Sequence, residues 1–182
     1  MKRAIVTPPV LPPAALAELK HWLGITTPRD DAALSALLAA GLEMCEAFTG
    51  VVPLECGCEE MLPAASGWQA LSARPVQAIT LVQGVPADGS RFVLPPENYA
   101  VDLCADGGAR IMVMNPASAG RIAVRFTAGL AATWESLPEG LRHGVIRLAA
   151  HQHRMREGEG DGPVPPAAVV ALWRPWKRVR LA

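Results

Sequence analysis

The chain has 182 residues, with 17 Lys plus Arg balanced by 17 Asp plus Glu and a formal net charge of zero. That length fits one domain or a small core with appendages, and the charge balance excludes bulk attraction to nucleic acid or to an anionic membrane as the main activity. Charged residues make up 19% and apolar residues 51% of the chain, with a mean hydropathy of +0.21, which points to a surface partly covered by partners.

No stretch reaches the roughly 18 uninterrupted apolar residues of a membrane span. Lys2 and Arg3 imitate the start of a signal peptide, but Pro8, Pro9, Pro12 and Pro13 break the apolar run that would have to follow. The expectation is a chain made and folded in the cytoplasm, with no membrane partner. There Cys45, Cys56, Cys58 and Cys104 default to free thiols.

Residues 1–13 are proline-rich and read as an extended N-terminal arm. A connected core is expected over 14–156. It opens with a helix at 14–23, started by Pro12 and Pro13, striped by Leu16, Leu19 and Leu23 and stopped by Gly24. The strongest helical period runs over 30–48. Asp30 or Asp31 caps it, Leu34, Leu37, Leu38, Leu42, Cys45 and Phe48 form the stripe, and Thr49-Gly50 ends it.

From 54 to 128 the period changes to two. Strands are expected at 76–82, 99–103, 110–114 and 121–126, separated by turn sequences such as Ala87-Asp88-Gly89-Ser90 and Ala105-Asp106-Gly107-Gly108. The connections are too short for crossover helices, so the strands pair as an antiparallel meander. A third helix, 137–156, follows the capping-box sequence Ser136-Leu137-Pro138-Glu139. Its inner stripe is Leu141, Val145, Leu148 and Ala149; Arg142, Arg147, Arg154 and Arg156 supply much of its wet side. Residues 157–182 are a tether, Glu157-Gly158-Glu159-Gly160-Asp161-Gly162-Pro163, and a tail with a short helix beginning at Pro165-Pro166. The fold class is α+β: a small helical bundle with helices at both chain ends, an inserted antiparallel β meander and an extended C-terminal tail.

Catalytic and metal chemistry find little support. Cys56-Gly57-Cys58 has neither the spacing of a zinc pair nor that of a Cys-x-x-Cys redox motif. His151 and His153, two apart on a helix, cannot face one metal from the same side. His21 and His143 have no evident acid or nucleophile partner. There is no nucleophile elbow, phosphate-cradling loop or His-Glu-x-x-His sequence. Nothing in these residues raises the expectation of an enzyme, and no cofactor or metal is expected.

Charge segregation stands out instead. Residues 30–60 hold seven acids and no base, among them Glu43, Glu46, Glu55, Glu59 and Glu60. The tail holds Arg174, Lys177, Arg178 and Arg180 and no acid, interleaved with Trp173 and Trp176. Indoles among guanidinium groups have the composition of an interface anchor. The tail residues are therefore the candidate partner-binding set, and the five glutamates are candidates for a channel lining or a subunit contact. The alternative is a small DNA-binding or packaging accessory protein whose Trp/Arg tail stacks on bases and meets phosphate.

The order of several short sequences adds a resemblance. Trp22-Leu23-Gly24-Ile25 is followed by Asp30-Asp31, Glu46-Ala47-Phe48-Thr49-Gly50, Gly120-Arg121-Ile122 through Leu130, Leu137-Pro138, Ile146 through His151, and Pro175-Trp176-Lys177-Arg178-Val179-Arg180-Leu181. Over nearly the whole chain this resembles the head–tail connector (adaptor) proteins of long-tailed phages and of phage-like gene transfer agents. His153 departs from the pattern, where many relatives are expected to carry tyrosine. The resemblance implies a structural protein that forms a ring, typically of twelve copies, beneath the capsid portal. The ring joins the portal to stopper or tail completion proteins, and DNA passes through it only as cargo. It also implies assembly in the cytoplasm, a final place at the head–tail junction of a virion or phage-like particle, and a C-terminal segment reaching towards the portal.

Overall fold

The computed structural model describes residues 3–155 and 165–177. They form two compact units, one of Met1–Pro9 with Glu55–Leu130 and one of Val10–Leu54 with Ala131–Ala182. The first is built of β-strands with one 3-10 turn, Pro96–Asn98, and the second is helical, in line with the α+β expectation.

In the β unit, strand β1 (Arg3–Thr7) pairs antiparallel with β2 (Cys56–Pro63). Strand β8 (Arg121–Ala128) lies between β2 and β4 (Val76–Val85), and the two-residue β5 (Phe92–Val93) ends the sheet. A second sheet is ordered β3 (Gln69–Ala70), β7 (Ala109–Val113) and β6 (Tyr99–Leu103). Every strand pairing is antiparallel, but β8 returns between two earlier strands. β8 suits the central place because most of it is buried: Ile122, Ala123, Val124, Phe126 and Ala128 are covered, and Arg121 and Arg125 alone are exposed.

Four strands went unread in the sequence: β1, β2 and the two-residue β3 and β5. The N-terminal arm is extended as expected, yet residues 3–7 are a sheet edge rather than a free arm. β2 was obscured by Glu59 and Glu60, although its burial alternates regularly along Cys56–Leu62.

In the helical unit, α1 (Pro13–Leu23) and α2 (Asp31–Thr49) end as the sequence predicts. Gly24 and Gly50 both take the left-handed conformation, with φ of 72° and 73°, that closes a helix C-terminus. Their starts differ. The Asp31 carboxylate accepts from Lys20 Nζ at 2.6 Å, tying α2 to α1, instead of capping its own helix. By length and composition α2 could cross a membrane, but a third of it is buried here and its inner stripe packs on α3 (Glu139–Met155).

Ser136 does not form the expected capping box. Its hydroxyl donates to the Thr133 carbonyl at 3.0 Å and accepts from the Thr133 N–H at 3.2 Å, closing a turn before α3. α3 is the common partner of α1, α2 and α4 (Ala167–Trp173). Small residues set the contact distances: a Cβ added to Gly41 of α2 would lie 3.1 Å from Val145 Cγ1 on α3.

Candidate functional site

The tail is bedded on α3. Pro166 opens α4 by accepting from the N–H groups of Val169 and Val170 at 2.8 and 3.0 Å. Seven helical residues and a 3-10 turn over Arg174–Trp176 then carry the chain along the bundle. Trp173 is fully buried. Its Nε1 donates to the Leu141 carbonyl at 3.3 Å, and its ring meets Phe48 of α2 with centroids 6.0 Å apart. The ring fits only because residue 144 is glycine; a Cβ there would overlap the indole.

This corrects the role expected for Trp173. It closes the chain's own core and is not available as a partner anchor. Trp176 is half-buried, while Arg174 and Lys177 are exposed. Lys177 Nζ sits 5.1 Å from the Phe48 ring centroid, a cation–π contact that holds the end of the described tail against the bundle. Arg178 and Arg180 lie outside the described residues, as does the tether.

The candidate acids divide between the two units, Glu43 and Glu46 on α2 and Glu55, Glu59 and Glu60 in the β unit. In the β unit Glu59 accepts from Arg125 Nε at 2.8 Å and pairs with Arg91 at 3.0 Å. The hydrogen bond from Arg125 is the largest influence on its carboxyl; burial opposes it, and the Arg91 hydrogen bond with the charges of both arginines leaves the carboxyl below the usual carboxylate range. Glu60 is 1% exposed and accepts from the Ser72 backbone N–H, at 3.0 Å to Oε1, and from the Ser72 hydroxyl. Glu60 is thus committed to the fold and is not open to a channel or a neighbouring subunit, while Glu59 is half-buried and engaged by Arg125 and Arg91 within the β unit. Glu43 and Glu55 are exposed and Glu46 is half-buried.

Cys56 and Cys58 point to the same side of β2 with their Sγ atoms 3.6 Å apart, both buried, and Cys45 is buried in α2. Among the described residues no three His, Cys, Asp or Glu side chains gather as a metal site.

Sequence reasoning missed the role of Gly144, whose signal was a lone glycine inside an apolar helical stripe. It also missed two polar features of the bundle. Trp134 is buried and donates from Nε1 to Glu18 at 2.9 Å. Arg147 lies 5.5 Å from the exposed Trp22 ring centroid.

The sequence matches no protein-family model and no curated protein. Solved structures do match. A chain from the neck of an empty gene transfer agent particle, computed with C6 symmetry, is 28% identical with a TM-score of 0.79. One from the neck of a native particle, computed with C12 symmetry, is 28% identical with a TM-score of 0.78. A chain from the virion of a native particle gives 28% and 0.77. In each case all of this chain and 98% of the other are covered. The chain is a structural relative of gene transfer agent neck components. Agreement over the full length bears out the connector resemblance read from the sequence, and it includes both units and the tail of this neck-protein relative.

Proposed function

We propose that the chain is a structural component of the neck of a phage-like particle, a head–tail connector whose copies form a ring beneath the capsid portal and join it to stopper or tail completion proteins. One observation carries the reading: likeness from end to end, at 28% identity, to chains of gene transfer agent necks. The protein works by assembly and not by catalysis, with DNA as passing cargo, and its final place is the particle.

Within that role the tail divides its labour. Trp173 fastens α4 to α3, and Arg174, Trp176 and Lys177, with Arg178 and Arg180 beyond them, meet the portal. Pre-anchoring through Trp173 lowers the entropy lost when the remaining residues are ordered on a partner. The burial of Trp173 also counts against the DNA-binding alternative, because it leaves one indole, Trp176, to stack on bases.

The test is complementation of particle-producing cells lacking the chain. Wild-type protein should restore joined, DNA-transferring particles and co-purify in their necks. A chain with Arg174, Trp176, Lys177, Arg178 and Arg180 all replaced by alanine should fold and leave heads without tails. Joined, active particles from that variant would remove the tail's proposed role.

A further inference from the structure

A groove of about 200 Å³ opens on the helical unit between α1, α3 and α4, lined by Trp22, Arg147, His151, Arg154 and the apolar Pro166 and Val169, among others. No acid is found among its lining residues. Arg147 and Arg154 are exposed, and Arg147 lies against the face of Trp22, itself 46% exposed. A guanidinium stacked on an open indole is a preformed recognition element for a carboxylate.

The same unit carries a surface of opposite character on the far side. α2 meets α3 where Gly41 approaches Val145. At about 100° per residue, the positions two further along each helix, Glu43 and Arg147, lie about 200° round from that contact. Glu43 therefore faces away from α3, and Arg147 faces away from α2. Around Glu43 the outer face of α2 is exposed alanine, at 36, 40 and 47. No base occurs between residues 30 and 60 to offset the charge. The outer face is smooth, bears acid and would admit a close neighbour.

A closed ring needs two different complementary patches on opposite sides of each copy. We infer that the outer face of α2 on one copy docks on the Trp22–Arg147 groove of the next, with Glu43 entering between Arg147 and Arg154. The inference rests on the neck reading for the existence of a ring, and names the surfaces that close it. Helix-on-helix contact over the alanines brings the carboxylate to the guanidinium groups, and the indole supplies the apolar floor.

The test is a charge swap in the full-length protein, followed by sedimentation velocity at low ionic strength, with circular dichroism to show that each variant folds. Arg147→Glu and Glu43→Arg alone should each weaken self-association at least about tenfold, and the double variant should recover to within about threefold of wild type. A wild type that stays monomeric at about 1 mM overturns the contact, as does a double variant no better than either single one. Duplex DNA binding that Arg147→Glu abolishes and Glu43→Arg leaves untouched assigns the groove to phosphate and likewise overturns it. Purified particles separate the two levels: absence of the chain from them removes the neck reading, whereas presence of the chain with no rescue by the swap removes only this contact.

Discussion

Gly144 of α3 and Trp173 of α4 occupy each other's space so closely that no side chain at position 144 leaves room for the indole. A structure of this kind does not tolerate even a methyl group without moving a helix, because packed cores are not compliant at this scale. Gly144→Ala is expected to lower stability by about 1–3 kcal/mol despite its better helix propensity. Urea unfolding measures the loss, and proteolysis beyond α3 should accelerate as α4 detaches. A variant as stable as the wild type would show that α4 is not seated as described.

Trp173 and Trp176 should separate by phenotype. Trp173→Ala empties a fully buried site and is expected to cost about 3–5 kcal/mol of folding stability. Trp176→Ala removes a half-buried ring and is expected to cost about 1 kcal/mol or less while sharply reducing head–tail joining. Thermal unfolding and particle assembly, measured on both variants, check the division. Equal losses in both assays for both variants would contradict it.

These two indoles also show what the sequence could and could not reveal. Helix ends were legible because Gly24 and Gly50 are required by backbone geometry that local sequence encodes. The strands at 76–82 and 121–126 were legible from their period and turn residues. The partner of Trp173 was not, because a tryptophan beside arginines has the same composition whether it fills a pocket of a partner or one in its own chain. Gly144 decides between them, and it lies 29 residues earlier, beyond a tether that hides the pairing. β2 was missed for a related reason. Glu59 and Glu60 read as a charged surface, whereas Arg125, Arg91 and Ser72, all distant in sequence, satisfy them.

Glu59 should make the β unit acid-sensitive. Its carboxyl is held below the ordinary value of 4.5, first by the hydrogen bond from Arg125. The folded state therefore binds the proton less readily than the unfolded state, and the contribution of Glu59 is complete above about pH 4.5 and lost as pH falls through its lowered value. The arginine side chains are 46% and 38% exposed, so screening keeps the contribution small. Glu59→Gln is expected to cost about 1 kcal/mol near pH 7, and its unfolding curve should converge on the wild type as pH falls and the carboxyl takes up its proton. A gap that widens in acid would reverse the assignment.

Cys45 should behave in the opposite sense and at the other end of the pH scale. Burial, only partly offset by a hydrogen bond with Thr49 and reinforced by the charge of Glu46, pushes its thiol from 9.0 up to about 12. The fold thus favours the neutral thiol. The stability this provides is complete below about pH 9, where the unfolded thiol also keeps its proton, and it is lost as pH rises from there towards 12. Alkylation requires the thiolate, so Cys45 should react at pH 8 only as fast as the helical unit opens. The half-exposed Cys104 should be labelled first. Timed iodoacetamide labelling with peptide mass mapping gives the order. Cys45→Ala should flatten the loss of stability between pH 9 and 11 while lowering stability at neutral pH through the cavity it leaves. Labelling of Cys45 ahead of Cys104 in folded protein would show that α2 does not bury this side chain against the bundle.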